Sequence, residues 1–239
     1  MWRTEMEEAL SAQAQERRRS IRSFVKRVGR MTPAQGRALR ELWPEYGIEF
    51  SEELLNFESL FGRAAPRVLE IGFGDGESLV EQAAADPGAD YIGIEVHEPG
   101  IGHCMLHAEE VGISNIRLIR YDAIEVMRFQ IPDNSLSRIN LYFPDPWPKK
   151  RHHKRRILQL GFLELAAQKI EASGAFHIAT DWENYAEQID ALIRSQEYFR
   201  LSERHAHCGD DPLERPVTKF ERRGLRLGHR IFDWRLTRI

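Results

Sequence analysis

Cysteine is scarce in this sequence, which contains only Cys104 and Cys208 among its 239 residues. Two cysteines are too few for the disulfide framework of a small secreted protein. The first ten residues, MWRTEMEEAL, also lack the apolar core of a signal peptide. We therefore expect a cytoplasmic protein whose cysteines are free thiols.

Long apolar runs are missing as well. No segment approaches the roughly 20 apolar residues that a membrane helix needs. With 42% hydrophobic and 30% charged residues, the chain has the composition of a globular protein that is large enough for one α/β domain. We expect neither a membrane partner nor an obligate protein partner.

Metal-ligand spacing is a third absence. HAHC (205–208) and the consecutive residues His103 and Cys104 supply side chains that could bind a metal. The sequence has no C-x-x-C pair, however, and no second set of ligands with metal-site spacing. We therefore expect no metal site.

Acidic residues are missing between Arg17 and Arg30, although the formal net charge of the whole chain is −3. Domains that bind nucleic acid often have a pI above about 9, whereas this chain has a pI of 6.3. A polyanionic partner would therefore have to be bound by local basic patches. This segment is either a solvated basic helix or an arm that lies on phosphate, with Arg27 and Arg30 as candidate contacts.

Strands and helices alternate from about Pro66 onward, which predicts an α/β fold with a doubly wound, mostly parallel sheet of seven strands. The predicted strands are RVLEI, DYIGIEV, IRLIRYDA, LSRINLYF and AFHIATD. The predicted helices are ESLVEQAAA, a segment around HCMLHAEEVG that Gly112 caps, RRILQLGFLELAAQKIEASG and WENYAEQIDALIRS.

The two ends of the chain differ from this pattern. VTKFERRGLRLGHRIFDWRLTRI (217–239) has two β-like runs separated by glycines, which predicts an antiparallel C-terminal hairpin at one sheet edge. We expect residues 1–60 to form a partly disordered N-terminal extension that carries the basic arm, and residues 61–239 to form the α/β domain.

A glycine turn follows the first predicted strand, in EIGFGDGES. Gly72, Gly74 and Gly76 give G-x-G-x-G, a weak motif by itself. The neighbouring acids Glu70, Asp75 and Glu77 would repel a pyrophosphate and favour a cationic ligand such as S-adenosylmethionine. Two further acids, Glu95 and Asp122, end the next two strands, where ligands of open parallel sheets bind and where an acid can hydrogen-bond ribose hydroxyls.

The stretch LYFPDPWPKKRHHKRR (141–156) places Asp145 at the end of the fourth predicted strand, between two prolines that restrict the backbone. A basic cluster follows, just before or within the first turn of a helix that we expect to begin near Arg155. Cations at a helix N-terminus oppose the helix dipole, and a phosphate partner would reverse that penalty. We predict RNA-backbone contacts from Lys149, Lys150, Arg151, Lys154, Arg155 and Arg156.

The chain looks like a class I methyltransferase and closely resembles one family, the bacterial tRNA (guanine-N7-)-methyltransferases. The resemblance extends from about Arg22 to the end of the chain. It is carried by RSFVKRVGRMTPAQGRAL, LEIGFGDGESLV, GIEVHEPGIG, LYFPDPWPKKRHHKRR, ATDWENYA and RPVTKFERRGLRLGH, and the last four are specific to the family.

The resemblance implies an S-adenosylmethionine-dependent, RNA-binding enzyme of tRNA modification that forms 7-methylguanosine at variable-loop position 46. It implies that Asp145 is the active-site residue. It also implies donor contacts from Glu70, Glu95, Asp122 and Asp145, beside Gly72 and Gly74, and substrate contacts from Lys149, Asp181, Thr218, Lys219, Phe220 and Glu221. Without the family, Lys219 and Glu221 would be interpreted as an exposed pair.

Guanine N7 has an in-plane lone pair, so the reaction needs no base to prepare the nucleophile. We hypothesise that Asp145 contacts the Watson–Crick edge of the guanine, whose donors strengthen as positive charge develops. Trp147 or Phe143 could stack on an extruded base, although core packing is an equal alternative for Trp147. Asp181 could share guanine recognition or cap the following helix.

Two other functions fit parts of the sequence. PDPW resembles the motif of methyltransferases that act on exocyclic amino groups of adenine or cytosine. A non-catalytic RNA-binding subunit could also retain this fold, although acids at three strand ends argue against it.

Overall fold

The computed structural model describes residues 23–24, 29–208 and 215–239. Its centre is one sheet of eight strands in the order β1-β4-β3-β2-β5-β6-β8-β7, in which β8 runs antiparallel to both of its neighbours. The predicted doubly wound, mostly parallel sheet is thus confirmed, with one strand more than we expected. The strands are β1 (Gly47–Ile48), β2 (Arg67–Ile71), β3 (Asp90–Ile94), β4 (Ile116–Ile119), β5 (Leu136–Tyr142), β6 (Ile170–Thr180), β7 (Phe199–His207) and β8 (Ile231–Arg238).

Helices cover both faces of the sheet, and each face has its own apolar cluster, which includes Leu79, Ile101 and Met105 on one side and Ile124, Leu163 and Ile189 on the other. Within the ranges that the structure describes, no helix is long and apolar enough to cross a membrane. The helices are α1 (Pro33–Glu41), α2 (Trp43–Tyr46), α3 (Phe57–Phe61), α4 (Glu77–Ala85), α5 (Glu98–Val111), α6 (Ala123–Phe129), α7 (Leu160–Lys169), α8 (Glu183–Arg194) and α9 (Lys219–Arg226), with a 3-10 helix at Lys150–Arg155.

The segment before β2 packs on this α/β core. Strand β1 pairs in parallel with β4, and α1 lies so close to α5 that a Cβ on Gly102 would come within 2.8 Å of the Gln35 carbonyl oxygen. Helix α1 begins with a capping box, in which Thr32 accepts from the Gln35 N–H and Gln35 accepts from the Thr32 N–H. Residues 33–48 therefore supply a helix layer and an edge strand to the domain.

Most predicted elements are present, including α4 with its predicted bounds and the Gly112 cap at φ 74°. The helix predicted over 155–174 is wrong at both ends. It begins only at Leu160, and the chain enters β6 at Ile170. Ile170 pairs with Leu136 and Ala175 with Arg138, so residues 171–174 form an irregularity within the strand rather than a last helical turn.

The antiparallel strand pair predicted at a C-terminal sheet edge is present, but the prediction that both of its strands lie within 217–239 is wrong. Residues 219–226 form α9, and the antiparallel partner of β8 is β7, which precedes that helix in the chain. A signal for α9 is present in the sequence, because Thr218 and Glu221 have capping-box spacing and Thr218 Oγ1 accepts from the Glu221 N–H at 3.1 Å. Strand β7 gave no alternating pattern because it is a sheet edge whose residues between Phe199 and His207 are mostly exposed.

Of the basic segment Arg17–Arg30, the structure describes Ser23, Phe24, Gly29 and Arg30. Arg30 is exposed. Arg27 lies outside the described residues.

Candidate active site

A cavity of about 380 Å³ opens at the carboxyl ends of β2, β3, β4 and β5. Because these strands are adjacent and parallel, residues that are far apart in the sequence meet at this edge. The strand ends contribute Ile71, Gly72, Gly74, Ile94, Glu95, Val96, His97, Tyr121, Ala123, Leu141, Tyr142, Phe143, Pro144 and Asp145, and the remaining wall is formed by Ser23, Phe24, Ile157 and Phe220.

The glycine turn after β2 forms one wall of this cavity. Gly72, Gly74 and Gly76 have φ values of 73°, 65° and 81°, in the left-handed region that side chains rarely adopt. A Cβ on Gly76 would come within 2.4 Å of the Cys104 sulfur. The turn therefore requires glycine both for its backbone and for its packing against α5.

Glu95 ties the end of β3 to the glycine turn. Its Oε2 accepts from the Gly74 N–H at 3.0 Å, and its Oε1 accepts from the backbone N–H groups of Val96 and His97 at 2.6 and 3.0 Å. The structure therefore places this predicted donor contact in the cavity wall. Asp122 is placed differently, since its carboxylate caps α6 by accepting from the Ile124 N–H, while its neighbours Tyr121 and Ala123 line the cavity.

Glu70 lies behind the cavity and is not part of its lining. It is 3% exposed and accepts a hydrogen bond from Gln82 Nε2 at 3.0 Å. Burial away from water raises the pKa of Glu70 to about 7, although hydrogen bonds from Gln82 and Asn140 oppose this shift. Near neutral pH this carboxyl group is therefore poised between its charged and neutral forms.

Replacing Glu70 with glutamine is expected to remove a pH dependence of folding stability. Because the pKa of Glu70 rises from 4.5 to about 7 on folding, the native state holds the extra proton between those two values. Relative to Glu70→Gln, the wild-type free energy of unfolding should fall by roughly 2 kcal/mol as the pH rises from about 5 to about 8. Urea unfolding of both proteins at these pH values measures the difference, and a difference that does not change with pH would contradict the assignment.

Asp145 lies on the cavity rim, on a turn with unusual backbone geometry. Phe143 and Trp147, the residues two positions to either side, have φ values of 50° and 45°, a conformation that is costly for large side chains and recurs at functional sites. Asp145 itself is exposed and lines the cavity. The structure thus presents this carboxylate at the cavity mouth on a constrained turn.

Trp147 belongs to the outer side of this turn rather than to the apolar core. Its indole N–H donates to the Ser23 carbonyl oxygen at 3.1 Å, and the Arg155 guanidinium lies 4.9 Å from its ring centroid. It does not belong to either apolar cluster of the described residues. Of the two aromatic candidates for base stacking, only Phe143 lines the cavity.

Arg156 is not available to a phosphate in this structure. It is 2% exposed, its Nε donates to the Pro146 carbonyl oxygen at 2.8 Å, and its other nitrogens donate to Gln188 and Asn184 at 2.6 and 2.9 Å. Its guanidinium also lies 4.6 Å from the centroid of the Tyr185 ring. Arg156 therefore holds the Asp145 turn against α8.

The rest of the basic cluster is accessible beside the rim. Lys149, Lys150, Arg151 and Lys154 are exposed and Arg155 is half-buried. They lie in and just before the 3-10 helix, several residues ahead of α7, so they do not occupy the first turn of that helix as the sequence suggested. The unfavourable interaction with its dipole that we expected is consequently weaker, because the effect fades beyond the first turn.

Helix α9 lies over the glycine turn. Lys219 Nζ is 3.1 Å from Asp75 Oδ2, and Arg222 Nη2 is 2.6 Å from Glu77 Oε2. Phe220 is about half exposed and lines the cavity next to Gly74. Two of the acids that we took as evidence for a cationic ligand are thus paired with cations of the protein itself.

Three other predicted substrate residues lie around α9. Thr218 caps the helix, and Glu221 is 1% exposed and accepts from Arg215 Nη1 at 2.5 Å. Asp181 follows β6 and pairs with His229 at 2.9 Å. Its alternative role as a helix cap is wrong, because the N-cap residue of α8 is Trp182 rather than Asp181, and the Trp182 side chain makes no capping hydrogen bond among the residues that the structure describes.

Sequence reasoning did not single out two parts of the cavity wall. Phe24 lies in the basic segment but lines the cavity, and Tyr121 lines it while stacking on Phe50 with ring centroids 3.8 Å apart. An aromatic residue next to a strand-end acid, as in RYDA, was the available signal for Tyr121. Among the described residues, no three His, Cys, Asp or Glu side chains are grouped so that they could hold a metal ion.

Known proteins are similar to this chain over most of its length. A family model described as a putative methyltransferase matches residues 64–234. The tRNA (guanine-N(7)-)-methyltransferase of Halorhodospira halophila is 52% identical over 221 residues, which cover 90% of this chain and 94% of that protein. The tRNA (guanine-N(7)-)-methyltransferase of Escherichia coli K12 is 52% identical over 222 residues, which cover 92% of each.

Solved structures of more distant proteins share the fold. An antibiotic-related methyltransferase superposes with a TM-score of 0.55 at 17% identity, covering 80% of this chain and 96% of that one. TrmN from Thermus thermophilus gives a TM-score of 0.52 at 21% identity, covering 76% of this chain and 47% of that one. These distant structures support the fold alone, whereas the relatives that are 52% identical show the family. The chain belongs to the tRNA (guanine-N7-)-methyltransferase family.

Proposed function

We propose that this protein transfers a methyl group from S-adenosylmethionine to N7 of the variable-loop guanine at position 46 of tRNA, in the cytoplasm. One observation carries the proposal. The cavity at the strand ends is bordered on one side by the glycine turn and on another by the exposed carboxylate of Asp145, with accessible basic residues next to it. Names of relatives that are 52% identical over most of the chain support the tRNA substrate and the guanine N7 position.

The cavity fits S-adenosylmethionine in size and in the chemistry of its walls. A volume of about 380 Å³ lies within the range of small-molecule sites. Gly72 and Gly74 leave room where side chains would fill the space, Glu95 offers carboxylate oxygens for ribose hydroxyls, and Ile94 and Tyr121 offer apolar surface for adenine. When bound, S-adenosylmethionine supplies an electrophilic methyl group. Glu70 and Asp122 do not line the cavity and would act on the bound S-adenosylmethionine from just behind its wall.

The residues of the chain contribute positioning and electrostatics. Guanine N7 carries its own lone pair, so no residue is required to remove a proton before attack. The Asp145 carboxylate accepts hydrogen bonds from donors of the guanine, and these bonds strengthen as positive charge spreads over the purine. Phe143, which lines the cavity two residues before Asp145, supplies a ring on which the base stacks.

Basic residues beside the rim would hold the tRNA backbone. Lys149, Lys150, Arg151, Lys154 and Arg155 lie in one segment next to Asp145, and the arm that includes Arg27 and Arg30 supplies further phosphate contacts. Lys149 and Asp181, with Thr218, Lys219 and Phe220, would orient the substrate near the cavity. Glu221 would contribute through its buried pair with Arg215.

Neutralising three exposed cations of the cluster, with Lys150→Gln, Arg151→Gln and Lys154→Gln combined, is expected to make tRNA binding less sensitive to salt. Each lost phosphate contact should reduce the slope of log affinity against log salt by roughly 0.7 to 0.9. A matched control changes Arg128, Arg194 and Arg200 to Gln, because these exposed residues lie near the opposite, amino-terminal edge of the sheet. Filter-binding titrations at several salt concentrations give both slopes. Equal slopes in the two triple variants would exclude the cluster as a phosphate site.

Nucleoside mass spectrometry tests the reaction itself. Unmodified tRNA is incubated with the purified chain and S-adenosylmethionine alone, and we expect 7-methylguanosine, lost when guanine 46 is replaced by adenine. An amino-methylated adenine or cytosine would instead support the exocyclic-amine alternative. No methylated nucleoside, combined with no binding of S-adenosylmethionine in calorimetry, would support the non-catalytic RNA-binding alternative.

A further inference from the structure

Arg215 is the centre of a buried ionic cluster between α9 and the sheet. Its side chain is 1% exposed, its Nε and Nη2 donate to the two carboxylate oxygens of Asp233 at 2.9 and 3.0 Å, and its Nη1 donates to Glu221 at 2.5 Å. Asp233 in β8 also contacts His177 Nε2 at 3.0 Å, and His177 Nδ1 lies 3.1 Å from the Tyr142 hydroxyl. The guanidinium therefore joins the C-terminal helix to strands β8, β6 and β5.

The same guanidinium packs over the strand end that leads to Asp145. Its central carbon lies 5.0 Å from the ring centroid of Tyr142 and 5.6 Å from that of Phe143. Phe143 is the residue held at φ 50°, and cation–π contact with a desolvated arginine stabilises an aromatic ring in place. Arg215 thus braces one side of the Asp145 turn, and Arg156 braces the other through the Pro146 carbonyl oxygen.

On its other side, Arg215 fixes the part of α9 that closes over the cavity. Glu221 is held by Arg215 and directly follows Phe220, which lines the cavity beside Gly74. The outer residues of α9 pair with the glycine turn through Lys219 and Arg222. One buried side chain is therefore in contact with both the Asp145 side and the α9 side of the cavity.

We propose that Arg215 is a positioning residue for methyl transfer. It holds the Phe143–Asp145 turn and helix α9 in fixed relative positions on two sides of the cavity, and it does not touch the substrate. This inference rests on the proposed function. An arginine is required because only its planar fork can bind Asp233 with two nitrogens and Glu221 with a third while stacking on aromatic rings. A lysine at this position keeps the charge but cannot make these contacts together.

The test compares Arg215→Lys with the wild type in kcat, tRNA affinity and local hydrogen exchange. We expect kcat at saturating tRNA and S-adenosylmethionine to fall by about 10- to 100-fold, since small displacements of reacting groups have effects of that size. The Kd for tRNA should change by less than threefold because the phosphate contacts lie elsewhere. Amide exchange should become faster at Phe143, whose N–H donates to the Ala179 carbonyl oxygen at 2.8 Å, and in residues 219–226, while β3 and β4 keep their protection.

Arg204→Lys is the control variant. Arg204 also binds an aspartate with two nitrogens, at 2.9 and 2.8 Å from Asp190, and lies 5.8 Å from the Trp234 ring centroid. It is more exposed than Arg215 and lies on the edge strand β7, outside the cavity wall. The kcat of Arg204→Lys should stay within twofold of the wild-type value. A loss of kcat that is seen only in Arg215→Lys is then specific to the contacts of Arg215.

Two results would overturn the proposal: a folded Arg215→Lys protein with kcat within twofold of the wild type, or faster exchange that is spread evenly over the domain. If Arg215→Lys does not fold, Asp233→Asn preserves the arginine and the shape of its partner, and should lower kcat about three- to tenfold in the same direction. An unchanged kcat in Asp233→Asn would then contradict the proposal. If the wild type forms no 7-methylguanosine, the proposed function fails. Amide exchange at Phe143 and in residues 219–226 still tests whether Arg215 couples the Asp145 turn to α9.

Discussion

Asp145→Asn is expected to lower kcat by about 100- to 1000-fold, the effect of removing one pre-organised electrostatic contact from an active site. The asparagine keeps the size of the side chain and one acceptor oxygen, but it loses the negative charge that opposes the developing positive charge of the purine. Because that charge grows along the reaction, the loss falls on the transition state rather than on the bound ground state. The Kd for tRNA should change by less than threefold.

The geometry of the turn makes this a test of charge rather than of shape. The residues at Phe143 and Trp147 have positive φ values, and Arg156 holds the Pro146 carbonyl oxygen, so the backbone of residue 145 is constrained independently of its carboxylate. Asp133→Asn is a control for the loss of a carboxylate outside the site, since Asp133 precedes β5 at the opposite end of the strand that leads to Asp145, where it is 63% exposed and pairs with Lys169 Nζ at 2.6 Å. It should retain kcat within twofold.

Single-turnover methylation with excess enzyme measures the chemical step, and filter binding measures tRNA affinity. Comparable single-turnover rates for Asp145→Asn and the wild type would remove Asp145 from the chemistry. A variant whose Kd for tRNA rises while its single-turnover rate at saturating enzyme stays unchanged would assign Asp145 to substrate binding, since uniform binding energy does not accelerate the bound complex.

The sequence predicted which strand ends would border the cavity, because the signals for those strand ends are local. A glycine turn after an apolar strand, or an acid after the next strand, marks a strand end however the helices between the strands pack. Parallel strand order then brings Gly74, Glu95 and Asp145 to one edge. The same reasoning could not separate Glu95, which lies in the cavity wall, from Glu70, which points behind it.

The other half of the site depends on contacts between distant parts of the chain. Lys219 pairs with Asp75 and Arg222 with Glu77, at sequence separations of 144 and 145 residues. No local sequence pattern predicts such pairs. Arg156 looked like one more cation in a basic run, yet it is buried because Pro146, Asn184 and Gln188 surround it with acceptors. Burial of a charge requires partners, and a sequence does not show which partners a fold supplies.

Gly100→Ala tests the glycine turn from the opposite side, through a residue that is not itself in the cavity lining. A Cβ on Gly100 would lie 2.0 Å from the Gly74 carbonyl oxygen and 2.9 Å from the Gly74 carbonyl carbon. Neither atom belongs to a flexible side chain, so helix α5 or the turn has to move. Overpacking of this kind costs about 1 to 3 kcal/mol or more, and Glu95, which binds the Gly74 N–H, transmits the displacement to the cavity wall.

We expect Gly100→Ala to weaken S-adenosylmethionine binding by about 100-fold, equivalent to roughly 2.7 kcal/mol, measured by calorimetry on the folded protein. Gly161→Ala is the control, because Gly161 lies in the first turn of α7 with nothing within 4 Å of the added Cβ, and its affinity should match the wild type. If Gly100→Ala lowers the melting temperature but binds the donor as the wild type does, the turn is only a tight structural connection. If donor affinity falls while β3 and β4 keep their amide protection, the glycine turn itself supports the donor, since the substitution adds one methyl group outside the cavity and both of its closest contacts are backbone atoms of Gly74.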